Sequence, residues 1–171
     1  MGLFVFEVCM NYSDCFMNQI ISNVIKVYEK YSKYEYIDCD VSSKEYHIKT
    51  KQEFDSLSGG ICWDFVGPIK DSLIKYNIIS YCFFTSIHKA TDMIASHVYI
   101  IVPSTMQWIE CAWQSFKGIH EVNSFSDIEK LLKNEYSADE VHTTIYDPLR
   151  TYGLSTNEFF KYLDEHGVAL S

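Results

Sequence analysis

The sequence has no surplus of positive charge, no CxxC pair, no long uninterrupted apolar run and few residues that break regular structure. Its 14 Lys and Arg stand against 23 Asp and Glu, a formal charge of -9. Nonspecific nucleic-acid binding needs cations to neutralise phosphates, so a nucleic-acid partner is not expected. No apolar stretch approaches the length that spans a bilayer. The apolar segment LFVFEVCM at 3–10 lacks the basic flank and small-residue cleavage site of a secretory leader. The expectation is therefore a cytoplasmic protein with no membrane partner. Three prolines, seven glycines and no repeat or low-complexity tract leave nothing that marks a linker. The 171 residues are expected to form one domain, burying roughly 70% of the surface that the unfolded chain exposes.

The six cysteines, at 9, 15, 39, 62, 82 and 111, fall into no structural-zinc spacing. No metal or organic cofactor is implied. A domain with its own core has little need of disulfides, so most of these thiols are expected to be reduced core residues. What the chain does have is aromatic weight: 13 Tyr and 11 Phe within a composition that is 47% hydrophobic and 22% charged, which is globular.

The stretch 13–31 opens on capping residues and places Phe16, Ile20, Val24 and Val27 near one helical face. Residues 32–48 are Tyr-rich and polar, an irregular connection with one short strand. The tyrosines of KVYEKYSKYEY point to a packed aromatic cluster rather than a binding face. KTKQEFDSLSGG reads as a helical turn running into a flexible double glycine at 59–60. ICWDFVGPIKDSLIKYN then carries Phe65, Ile69, Leu73 and Ile74 at helical spacing, with Pro68 early enough to be tolerated. Strand-like runs follow at 78–87, 97–103 and 108–116, and their short turns imply antiparallel pairing. Ile128, Leu131 and Leu132 mark an amphipathic helix at 124–136. STNEFFKYLDEHG is a last helix with a Ser155/Glu158 capping box and a stop at Gly167.

This order sets a cysteine at a helix start, then a strand opening with histidine, then a strand carrying glutamate. A thiol in a first helical turn faces unpaired N–H groups and the positive end of the dipole, which favour a thiolate nucleophile. Cys62 is the candidate nucleophile. His97 is the candidate base, since imidazole titrates nearest the working range. If the hairpin pairs His97 with Glu110 and Val102 with Thr105 across a Pro103-Ser104 turn, the carboxylate and the ring share a face. Glu110 would then orient the base, as the third member of a triad does. The Trp63 backbone N–H, next after the nucleophile, is a candidate oxyanion donor. His120 and His88 are the alternative bases. Trp63, Trp108 and Trp113 suit core or pocket wall, and Asp64 suits a helix-favouring first-turn carboxylate.

GGICWDF at 59–65, SHVYIIV at 96–102, WIECAW at 108–113 and GIHEVNS at 118–124 resemble a bacterial and phage branch of the transglutaminase-like proteins. The similar blocks run from about Glu53 to Leu132. The resemblance implies an α+β, papain-like fold in which a nucleophile helix packs on an antiparallel sheet. It matches Cys62 to the nucleophile, His97 to the base and Glu110 to the acidic member. Cys111-Ala112 departs from the bulkier, more polar pair expected there, which bears on pocket shape. The implied chemistry is acyl transfer from, or hydrolysis of, an amide carried by a protein or peptide substrate. The alternatives are a non-catalytic interaction protein with the same fold, and a redox sensor, which would need a second thiol within reach of Cys62.

Overall fold

A computed structural model describes the backbone of residues 2–170 and the side chains of residues 14–170. Among the described residues the order is α1 (Gly2–Tyr31), β1 (Glu35–Tyr36), α2 (Lys51–Leu57), β2 (Gly59–Gly60) and α3 (Cys62–Lys75), then β3 (Tyr81–Lys89), β4 (Asp92–Val102), β5 (Gln107–Glu110), β6 (Gly118–Glu121), α4 (Phe125–Glu135), β7 (Glu140–Tyr146), α5 (Thr156–His166) and β8 (Val168–Leu170). The class is α+β. Six strands form one antiparallel sheet in the order β6-β5-β4-β3-β7-β8.

Alternation along β4 divides the interior into two layers. Val98, Ile100 and Val102 join a large core with Ile20, Val24, Phe54, Phe65, Ile69, Leu73 and Phe159, contributed by α1, α2, α3 and α5. Tyr99 and Ile101 face the other way, into a smaller core with Phe83, Ile87, Trp108 and the α4 residues Ile128 and Leu132. Period-two side-chain direction in the strands, met by helical stripes on both faces, builds this arrangement. Each fully buried Phe, Ile or Leu contributes about 1.5–3 kcal/mol.

Helix α1 docks on α3 through Val24, Val27 and Tyr31, and the Tyr31 hydroxyl sits 3.0 Å from the Pro68 carbonyl and 2.9 Å from Ser72 Oγ. The expected burial of Phe16 does not occur: residues 14–19 are all exposed, because among the described residues none packs over that part of the helix. Side chains of the 3–10 segment lie outside the described residues. No described helix is long and apolar enough to cross a membrane. Ile74 is likewise exposed, on the outer side of α3, while Phe65, Ile69 and Leu73 are buried.

The double glycine is not a flexible turn. Gly59 and Gly60 form β2, paired in parallel with Glu35 and Tyr36, and neither has a positive φ. Glycine is required there by close approach: a Cβ on Gly59 would lie 2.2 Å from the Glu35 carbonyl oxygen, and one on Gly60 would lie 2.6 Å from the Asp64 carboxylate. The left-handed residue is instead Ser58, at φ 53, which ends α2.

Strand limits also differ from those expected. β4 begins at Asp92, because the β3–β4 hairpin turns through Ala90 at φ 53 and pairs Lys89 with Asp92. β5 stops at Glu110 rather than running to Phe116, since the following N–H groups turn away from the ladder to bind the Glu110 side chain. β6, β7 and β8 complete the sheet beyond the three expected strands. Two of the thiols expected in the core, Cys15 and Cys39, are exposed. The expected tyrosine cluster forms in part: Tyr31, Tyr34 and Phe54 pack ring against ring at 5.2–6.2 Å, whereas Tyr36 stands exposed on β1.

Candidate active site

Cys62 is the first residue of α3, following Ile61 in extended conformation. The Asp64 carboxylate, fully buried, holds this corner: it accepts from the Ile61 N–H at 3.0 Å, the Lys49 N–H at 2.8 Å and the Lys49 ammonium at 2.8 Å. Asp64 is thus a structural brace at the helix start, with its charge paired. The Trp63 N–H occupies the second helical position, where the helix supplies no acceptor. Its indole packs against Phe159 at 4.8 Å, and its Nε1–H donates to Ser96 at 3.3 Å, tying α3 to β4.

His97 and Glu110 meet. Their bond, His97 Nε2 to Glu110 Oε2, is 2.7 Å long, and the two residues are 6% and 2% exposed. The second carboxylate oxygen accepts the N–H groups of Ala112 and Trp113, both at 2.8 Å. Three hydrogen bonds therefore fix one carboxylate, and the Trp113 ring stands edge-on to the imidazole at 5.3 Å. The expected hairpin register is off by two: Ile100 pairs with Ile109 and Val102 with Gln107. The loop is the four residues 103–106, with Met106 at φ 50. A slip of two preserves the face, so Glu110 reaches His97 along a diagonal instead of from directly across.

Burial opposes a charged ring at His97. The Glu110 carboxylate and the Cys62 sulfur, acting as hydrogen-bond partner and negative charge, outweigh it and raise the pKa of His97 above its ordinary value. Of these two partners, only Glu110 makes a hydrogen bond of full geometric quality. A looser nucleophile–base spacing is common in unliganded sites and tightens around substrate. With Nε2 committed to Glu110, Nδ1 is the ring atom left for the thiol.

No protein-family model, curated protein or solved structure matches this chain.

Cys62 and His97 open on one cavity of about 300 Å³, walled by Ala112 and Trp113 and by Tyr36, Ser96, Gln114, Ser115 and Tyr136. The alternative bases are elsewhere. His120 donates through Nε2 to the Phe116 carbonyl at 2.6 Å and lies against Trp108 at 4.8 Å; His88 bonds Ser86 and neighbours His142. Trp108 is core. Cys82 and Cys111 are buried, and burial pushes the Cys82 thiol up to about 12 and raises Cys111 as well. All described cysteines are free thiols. Among the described residues no group of three or more His, Cys, Asp and Glu is arranged to hold a metal ion.

Tyr36 and Tyr136 are site residues that sequence reasoning missed. Tyr36 is brought beside Cys62 by the β1–β2 pairing, a contact between segments 24 residues apart. Tyr136 caps the end of α4. Neither position carries a local signal, apart from a large aromatic left exposed at a helix end.

Proposed function

We propose that this chain is a cysteine-dependent acyl-transfer enzyme of the transglutaminase-like, papain-like type. The observation that carries the reading is a histidine locked by a buried, triply hydrogen-bonded glutamate in the cavity that a helix-start cysteine lines. The chain order of cysteine helix, histidine strand and glutamate strand, with α3 packed against β4, agrees with the papain-like reading of the fold.

In this reading Cys62 transfers its proton to His97 and its sulfur bonds to the carbonyl carbon of an amide. The oxyanion of the tetrahedral intermediate is met by the Trp63 N–H. His97 then returns the proton to the leaving nitrogen, the C–N bond breaks, an amine departs and a thioester remains. Water, deprotonated by His97, cleaves the thioester to a carboxylic acid and restores the thiol. An amine in place of water would give a new amide. Hydrolysis is the preferred assignment because water is always at hand. Glu110 holds the ring and stabilises the imidazolium throughout. The substrate in this proposal is a protein or peptide amide in the cytoplasm.

A binding protein that keeps the fold without turnover is the second reading. The observation favouring it is the low exposure of Cys62, 7%, in a structure where the hydrogen bond made by the His97 ring goes to Glu110. Iodoacetamide labelling at pH 6, followed by mass spectrometry, separates the two. The enzyme reading expects Cys62 to label faster than the exposed Cys15, and His97→Ala to remove that advantage. Labelling of Cys62 no faster than Cys15 leaves the binding reading standing.

A further inference from the structure

The cavity beside Cys62 is unusual in what its walls leave out. Apart from the Cys62–His97 pair, its lining consists of two phenols, two serines, an amide, an alanine and an indole. No lysine or arginine contributes to it. With Cys62 reacting as a thiolate, its charge, an imidazolium and the Glu110 carboxylate would sum to one negative charge, because Glu110 cancels what His97 would otherwise offer to an anion. At the mouth stand Tyr36, 42% exposed, and Tyr136, 39% exposed, delivered by β1 and by the end of α4.

The two phenols feel the same surroundings. Both line the cavity on which Cys62 opens, and burial, with the Cys62 charge added, raises the pKa of each. An incoming carboxylate would shed its water here and find no lysine or arginine, and only an imidazolium already paired with Glu110, to replace it. A neutral group loses little, and hydroxyl and amide walls can satisfy its polar atoms. A volume of about 300 Å³ is at the small end for a ligand site and suits one acyl group rather than a large cofactor-like ligand.

We propose that the cavity takes an uncharged acyl group between Tyr36 and Tyr136, and turns away one bearing a carboxylate beside the reacting carbon. The two tyrosines are thereby specificity-determining residues. This rests on the reading of Cys62 as an activated nucleophile.

Two alkylating agents of matched size and opposite charge character test it: iodoacetamide, which is neutral, and iodoacetate, which is anionic. In each, the sulfur bonds to the methylene carbon and iodide leaves. Rates at Cys62 in the intact chain are read by peptide mass spectrometry, and their ratio is divided by the ratio measured for a neutral small-molecule thiol in the same buffer. Cys62 is expected to favour iodoacetamide about tenfold more strongly than the small-molecule thiol does, the factor for a like charge met at a few ångströms in a partly screened site. Tyr136→Lys, at an exposed position, is expected to shrink that preference several-fold by placing a cation at the mouth. Fast labelling of Cys62 by both agents alike, or a ratio unmoved by Tyr136→Lys, overturns the selectivity and leaves the enzyme reading intact. Slow labelling by both, no faster than Cys15, overturns the enzyme reading and this inference with it.

Discussion

His97 and Glu110 meet on a diagonal across the β4–β5 hairpin, 2.7 Å apart and both buried, because the hairpin loop is two residues longer than the shortest turn would need. An even slip in register moves every cross-strand partner yet leaves each side chain on its own face. The ion pair survives a register that differs from the simplest one. Glu110 reaches the ring from two residues along the strand, the next position on the same face, while its other oxygen is held by the two N–H groups that follow β5.

Substitutions at Glu110 separate its charge from its geometry. Glu110→Gln keeps a carbonyl oxygen for the Ala112 and Trp113 N–H groups and is expected to fold, with Cys62 labelling and turnover reduced about 10²–10⁴-fold through loss of the charge that holds the imidazolium. Glu110→Ala strands a buried histidine and two N–H groups, and is expected to lose about 3–5 kcal/mol in urea denaturation. Equal stability of the two variants would contradict the assigned role of the backbone donors.

His97 should make stability pH-dependent on the alkaline side. Its pKa is raised in the folded protein from 6.5, so the stabilisation it brings as a cation is complete below 6.5 and drains away as pH rises toward and through the higher folded value. Comparing wild type with His97→Gln by denaturant unfolding at pH 6, 8 and 10 should show their stability difference narrowing as pH rises. A difference that grows with pH would mean the ring is folded in its neutral form.

Asp64 braces the corner that presents Cys62. Asp64→Ala would leave the Lys49 ammonium, itself 16% exposed, without its partner and the Ile61 N–H without an acceptor. The expected loss is about 3–5 kcal/mol, measured by urea denaturation. Cys62 labelling at pH 6 should slow in the same variant, since the helix start is what places the thiol.

Gly59→Ala tests the close approach of β2 to β1. The added methyl would meet the Glu35 carbonyl oxygen at 2.2 Å, a backbone atom that cannot rotate aside. A loss of roughly 1–3 kcal/mol is expected from this overpacking. Thermal melting checks it, with Gly153→Ala as contrast: Gly153 has a positive φ but open space around it, so any loss there is backbone strain alone.

Several parts of the protein were open to reading from local pattern. The helices over 51–57, 62–75, 125–135 and 156–166 are marked by apolar spacing and capping residues within one or two turns, as in the Thr50/Glu53 and Ser155/Glu158 boxes. Cys62 at a helix start depends only on helix position, whereas the shared face of His97 and Glu110 also needs a hairpin register that departs from the simplest one by an even step. β7 was missed although VHTTIY is rich in β-branched residues, because its pairing partner β3 lies more than 50 residues away.

By itself, the sequence determined most of the helices and the central strands, since their periodicities lie within each segment, and the order of cysteine, histidine and glutamate, which the chain carries directly. Tertiary structure decided the rest. The diagonal register came from the loop at Met106, the end of β5 from a carboxylate competing for the next two N–H groups, and the need for glycine at 59 and 60 from a strand and a carboxylate pressed against them. Tyr36 entered the cavity through a strand pairing and Tyr136 through the packing of α4 on the sheet, contacts between distant segments that no local pattern can encode because their energy exists only once the chain has closed around them.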